Sequence, residues 1–337
     1  MTSPSIPSKP IPSQPDTTGS RRNQSSLQRI GVPVLLCLIT MFTTTAVGMR
    51  YMNNFRLGKA PLALADDADI LPYIWVIHHL QLFTTGLPFS LTLVGILLTH
   101  ELGHYFACRY YSVRSTLPFL LPAPSLSGTF GAVIRLRSSI RTRSALIAIG
   151  AAGPIAGFLV ALLTVTLGLC WSTYSPVPVV HQVQSPLMIV AIHHILQFVT
   201  GAGSGHDITL IVPHPVLTAS WIGLLITALN LIPAGQLDGG HILYAISPTA
   251  HRWSSRLVVV ALFALGFWCW AGWVAWGIVL LMPAMRHPRI ADTLPLDKWH
   301  LALIPAGLFI LIVAGTFEPF QGYGLIHILR EWSGSHH

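Results

Sequence analysis

His100-Glu101-Leu102-Gly103-His104 lies inside the apolar run LPFSLTLVGILLTHELGHYFACRY, residues 87–110. Ionisable side chains are costly at bilayer depth, so a cluster of them there needs a chemical reason. The simplest is a metal. Positions four apart share one helix face, so both imidazoles can reach a single ion. Glu101, one position round from His100, then points at a water held by that ion, which is the layout of a zinc hydrolase. The chain has only three glutamates, Glu101, Glu318 and Glu331, so chance placement of one between two such histidines is a poor explanation. The competing reading is a helix-packing cluster satisfied by neighbouring polar groups.

Two histidines leave a tetrahedral catalytic zinc one protein ligand short, because such a site takes three and keeps a position open. Asp238 is the candidate. It occurs in ALNLIPAGQLDGGHILYAI, residues 228–246, where Pro233 removes a helix hydrogen bond and Gly235, Gly239 and Gly240 loosen the backbone as the aspartate enters. Irregular backbone at membrane depth survives only where protein or a watery cavity satisfies it, so a functional cavity is implied. A helix-end cap or turn is the alternative for Asp238.

Both motifs sit in a chain with the composition of a membrane protein. Of the 337 residues, 52% are hydrophobic and 9% charged, against roughly a quarter charged in soluble domains. The excess of 19 Lys and Arg over 11 Asp and Glu sits mainly in short loops beside apolar spans without interleaved aromatics. That distribution marks topology and argues against nucleic acid as a partner. Cys37, Cys108, Cys170 and Cys269 form no C-x-x-C pair, which argues against a disulfide framework or a Cys-ligated zinc and reads them as small core residues.

The expected architecture is an all-α polytopic membrane protein with about six to seven transmembrane helices and a small membrane-surface β-hairpin. Residues 1–28, rich in Ser, Pro, Gln and Thr, read as a flexible cytoplasmic tail. Residues 29–48 read as a retained first transmembrane helix, 88–245 as the membrane core, and 246–337 as C-terminal transmembrane helices with a short tail. Residues 71–86, LPYIWVIHHLQLFTTG, suit an interfacial or re-entrant element before the helix carrying His100. Arg109, Arg114, Arg135, Arg137, Arg141 and Arg143 fall between that helix and the next with no acid among them, which places this loop, and the nearby motif, on the cytoplasmic side. Within it SGTFGAVIRLRSS suits a short strand or hairpin. The span at 144–170 carries Gly150, Gly153, Ala156 and Gly157, spaced for close helix packing. Residues 171–213 read as external, with the apolar piece around MIVAIHHILQFV dipping without crossing, and 257–285 as a tight hairpin turning near Cys269–Gly272. His241 reads as an interfacial residue or as support for a ligand, and the pairs His78-His79 and His193-His194, with His206 and His214, as interfacial.

With both motifs in view, the sequence resembles the site-2 protease family of intramembrane zinc metalloproteases. The resemblance rests on His100-Glu101-x-x-His104 and Asn230-x-x-Pro233-x-x-x-x-Asp238-Gly239, with GTFGAVIRLRS and AAGPIAGF between them, and covers about residues 88–245. It implies zinc held by His100, His104 and Asp238, Glu101 activating water, and Asn230 steadying the substrate carbonyl or its tetrahedral intermediate. A buried amide bridging helices is the alternative for Asn230. The implied reaction is peptide-bond hydrolysis in a membrane-anchored protein within the lipid bilayer, in a bacterial-type inner membrane with the site toward the cytoplasm. A helical substrate hides its carbonyls in its own hydrogen bonds and must be unwound, and the GTFGAVI strand could hold the extended segment by edge pairing. No interval between spans reaches the about 90 residues an inserted peptide-binding domain would need, so the expectation is a catalytic core alone, of unassigned oligomeric state. The competing function is a catalytically silent membrane scaffold or a metal-binding transporter of the same fold. The transporter would be expected to show polar groups at several depths and internal repeats, and the scaffold an eroded ligand set.

Overall fold

The structure, a computed structural model, describes residues 26–61, 73–176, 183–201, 207–285, 287, 288, 290, 296–321 and 323–334. Residues 1–25 of the expected tail, Asp66, Asp67 and Asp69, and His206 lie outside them. The described chain is mostly helical. Three helices are long and apolar enough to cross a membrane: α1 (Ser26–Arg56), α3 (Leu87–Tyr110) with the turn before it, and α4 (Arg143–Trp171). α5 (Leu187–Thr200), α6 (Pro215–Asn230), α9 (Gly272–Leu281) and α10 (Lys298–Ala314) are apolar but only 10–17 residues long, where a perpendicular crossing needs about 20. Six to seven full spans are therefore not what length alone supports.

α1 runs eight residues past the expected end at Gly48, because Arg50 and Asn54 are tucked against the protein rather than left in lipid. Asn54 donates from Nδ2 to the Pro61 carbonyl at 2.9 Å. α2 (Tyr73–His78) and a 3-10 turn (Leu80–Gly86) form the short element expected before α3 and pack on α1. Helix starts follow local chemistry. Thr142 caps α4 through Ala145 N–H, His214 caps α6 with Pro215 at its first position, and Ser247 caps α8 (Pro248–Trp268) with Pro248. α8 and α9 turn at Cys269–Ala271, where the sequence suggested, and Gly266 and Gly277 meet Val274 and Phe263 across the pair.

β1 (Phe119–Pro122) and β2 (Thr129–Val133) form the expected antiparallel hairpin. Its tip sits against the middle of α1: Thr43 donates to the Gly128 carbonyl at 2.7 Å and Tyr51 to the Leu126 carbonyl at 2.6 Å. That stretch of α1 also packs on the start of α3, where a Cβ on Gly48 would meet the Gly86 carbonyl at 2.5 Å. The hairpin thus enters the helix layer. It can do so because the strand ladder and the α1 hydroxyls satisfy its backbone, as a bilayer interior demands. A second small pairing joins β3 (Thr173–Tyr174) to β4 (Ile211–Val212) at the far ends of α4 and α6.

The main core lies between α3, α4, α5, α6 and α10, with Ile96, Ala161, Val165, Leu224 and Ala314 almost fully buried. All four cysteines are free, but only Cys108 is a buried core residue; Cys170 is exposed. Its place on the outward face of α4 explains the departure, since in lipid a small apolar side chain needs no protein cover.

Candidate metal centre

α3 and α4 make the most extensive helix contact in the molecule, and small residues allow it. A Cβ on Gly153 would lie 2.1 Å from His104 Nε2, and one on Gly157 3.1 Å from the His100 Cβ. α4 therefore presents to the two imidazoles a face without side chains. α7 (Asp238–Ile246) closes the third side against Gly150, whose Cβ would come within 3.0 Å of the Asp238 carbonyl.

Asp238 reaches that position because the chain breaks between α6 and α7. Gly235 adopts φ +57°, and a Cβ on Gly239 would meet the Leu231 carbonyl at 2.0 Å, so the turn closes on itself only with glycine there. α8 frames the break: Ser254 donates to the Pro233 carbonyl at 2.7 Å, Gly235 N–H donates to the Ser255 hydroxyl at 3.1 Å, and His251 Nε2 bonds the Gly235 carbonyl at 2.9 Å. The irregular backbone is satisfied by protein, as its depth requires.

His100, Glu101 and His104 are buried, and their ligand atoms all lie within 4.8 Å of one another. Asp238 Oδ2 lies 3.2 Å from His100 Nε2 and 3.3 Å from His104 Nε2. Ligand atoms at 2.0–2.1 Å around a tetrahedral zinc are separated by about 3.3 Å. The donor spacing fits. The tautomer fits as well, because His104 Nδ1 bonds the Ile149 carbonyl at 2.7 Å and must be the protonated nitrogen. His104 Nε2 then faces the Asp238 carboxylate oxygen at 3.3 Å, and in the neutral imidazole it is the nitrogen left free to take a metal. Among the described residues this is the one cluster of three or more His, Cys, Asp or Glu side chains with metal-ligand spacing.

All five residues expected at the site converge. Asn230, the last residue of α6, brings Nδ2 to 3.5 Å from His100 Nε2, the long limit of a hydrogen bond. The sequence did not reveal that the Glu101 carboxylate lies beside the backbone of Ile134, just beyond β2. Nor did it reveal that Gly153 and Gly157 face the imidazoles; their small-residue spacing was visible, their partners were not. His241 directs Nδ1 away from the cluster, to His287 Nε2 at 2.8 Å. His193 is nearly fully buried, beside Tyr174 and Gln197 at 3.2 Å each.

Residues 88–270 match the family model described as peptidase family M50. The chain is 31% identical over 311 residues to the probable zinc metalloprotease EGY1, chloroplastic, of Arabidopsis thaliana, covering 89% of this chain and 55% of that protein. It is 30% identical to the probable zinc metalloprotease EGY2, chloroplastic, of the same plant, covering 81% and 48%, so it spans about half the length of these relatives. Stage IV sporulation protein FB of Bacillus subtilis is 23% identical over 76% of this chain. Among solved structures, the site-2 protease from Methanocaldococcus jannaschii aligns with TM-score 0.32 and 18% identity over 72% of this chain and 83% of that one. The family match runs over more than half of the sequence and contains every residue of the cluster, and the chain belongs to peptidase family M50, the site-2 protease family.

Proposed function

We propose that the protein is an intramembrane zinc metalloprotease that hydrolyses peptide bonds of membrane-anchored protein substrates. The observation that carries this reading is the meeting of His100, His104 and Asp238 with ligand spacing beside the Glu101 carboxylate. His100, His104 and Asp238 would hold the ion, which when bound supplies Lewis acidity and a reactive water near neutral pH. Glu101 acts as the proton carrier, taking the proton of the attacking water and delivering it to the leaving amine. Its carboxylate lies beside the backbone of Ile134, just beyond β2. Asn230 offers an amide N–H beside His100, where it would steady the charge that develops on the carbonyl oxygen. β2 is the element along which an unwound substrate segment would pair, so substrate backbone and proton carrier are registered by one strand.

In this reading residues 88–245 are the catalytic core, in a bacterial-type cell membrane with the site toward the cytoplasm. The arginine-rich loop after α3 supports that orientation. The test is to reconstitute the full chain in liposomes with a panel of single-span membrane proteins and to sequence the fragments. Fragments cut within or beside a span, absent with Glu101→Gln and with a zinc chelator, are the expected result. Cleavage that persists in Glu101→Gln, or none in the wild type across the panel, overturns the reading.

A further inference from the structure

A second cavity, of about 690 Å³, lies outside the metal centre, between the N-terminal end of α1, Tyr105 of α3 and the base of the β1–β2 hairpin. Its volume falls in the range of small-molecule and headgroup sites. Its lining is part apolar, with Ile30, Val32 and Leu117, and part polar, with Arg135, Arg137 and Tyr105. The apolar part continues along α1 through Val34, Leu35 and Leu38, all exposed on the outward side of the helix. The arginines stand on a preorganised frame, since Arg135 N–H donates to the Thr116 hydroxyl at 3.0 Å and Arg137 N–H to the Arg114 carbonyl at 2.7 Å. Among the described residues the Arg135 guanidinium makes no ion pair and no hydrogen bond.

We infer that this cavity binds one acidic glycerophospholipid. Its phosphate would be taken between the guanidiniums of Arg135 and Arg137, and its acyl chains would lie along the exposed strip of α1. Guanidinium and phosphate match in charge and in planar, forked geometry, which a neutral headgroup bearing its own ammonium does not exploit as well. The apolar strip selects a lipid over a free phosphate, because only a lipid fills both parts at once. The inference rests on the membrane reading of α1, and the negative cytoplasmic leaflet agrees with the orientation proposed above. Arg135 directly follows Ile134, so an occupied cavity would abut the backbone beside Glu101.

The test uses the full chain, purified in mild detergent and delipidated, titrated with phosphatidylglycerol or phosphatidylcholine and read by native mass spectrometry. Because binding is measured in detergent, its outcome is independent of orientation and of proteolysis. About one phosphatidylglycerol per chain is expected, with affinity falling at least about tenfold in Arg135→Gln/Arg137→Gln and staying within about twofold in Arg109→Gln/Arg114→Gln. Arg135→Lys/Arg137→Lys, which keeps the charge and loses the fork, should bind between the wild type and the glutamine pair, and decides the matter if the glutamine pair does not fold. Equal binding of phosphatidylcholine overturns the inference, as does an equal loss in Arg109→Gln/Arg114→Gln, which would indicate diffuse surface charge. Full displacement by glycerol 3-phosphate at matched concentration overturns it too, since the site would then be one for free phosphate.

Discussion

Asp238 Oδ2 sits 3.2 Å from His100 Nε2 although 138 residues separate them in the chain. The contact joins the first residue of α7 to the middle of α3, and no sequence-local force could produce it. Its consequence is that metal affinity is a property of the assembled helix bundle. Detergent-purified protein should carry about one zinc per chain, and both His100→Ala and Asp238→Ala should lose it, as elemental analysis would report. Zinc retained in Asp238→Ala would mean that another group completes the site.

Gly153 tests the close approach of α4. Any Cβ there would fall 2.1 Å from His104 Nε2, so Gly153→Ala must push the imidazole or the helix aside. A displaced ligand of this kind costs about 10–100-fold in metal affinity. Gly95 of α3 is the control, because a Cβ at that position meets nothing within 4 Å. Gly95→Ala should leave zinc binding as it is and raise helix stability by under about 1 kcal/mol. Equal competition titrations for both variants would refute the steric argument.

Glu101 and Asn230 separate chemistry from binding. Glu101→Gln removes the proton carrier but keeps an amide of similar shape, so activity should fall by about 10²–10⁴-fold with zinc content intact. Asn230→Ala should lower kcat by about 10²-fold or more with little change in KM, the pattern of a group that acts mainly when charge develops. If KM rises and kcat holds, Asn230 serves binding or helix bridging instead.

The parts of this site that the sequence revealed are those in which cost is concentrated in a few residue types. Ionisable groups in an apolar run, and a Pro-Gly-interrupted segment carrying an aspartate, declare themselves because each is expensive unless the other exists. The turn between α8 and α9 was legible for a similar reason, since a run too long for one span must fold back. The depth of the hairpin was not. Phe119–Pro122 and Thr129–Val133 read equally well on a surface or within the helix layer, and what decides between them is Thr43 and Tyr51, donors on a helix 75–85 residues away. The number of full spans is not fixed by apolar runs either, because helices such as α6, 16 residues long, fall short of a perpendicular crossing and a broken segment separates α6 from α7.

The loop after α9 links the fold to pH. His287 stacks on Tyr244 with ring centroids 3.8 Å apart, and its Nδ1 donates to the Pro288 carbonyl at 2.7 Å. Its Nε2 must then be the acceptor for His241 Nδ1–H at 2.8 Å. Protonating His287 would set two N–H groups against each other. Burial already holds this imidazole below its ordinary value of 6.5, and the neighbouring His251 adds to the depression against the pull of the Pro288 carbonyl. The folded group is therefore a weaker base than the unfolded one. Its contribution to stability is fully present above about pH 6.5 and is lost progressively as the pH falls toward the folded value. Thermal unfolding in detergent should accordingly weaken between pH 7.5 and 5.5. His287→Gln, which cannot titrate, should flatten that slope while lowering stability at pH 7.5, where the stack and the bond to His241 are altered. A slope unchanged by the substitution would assign the pH dependence to other groups.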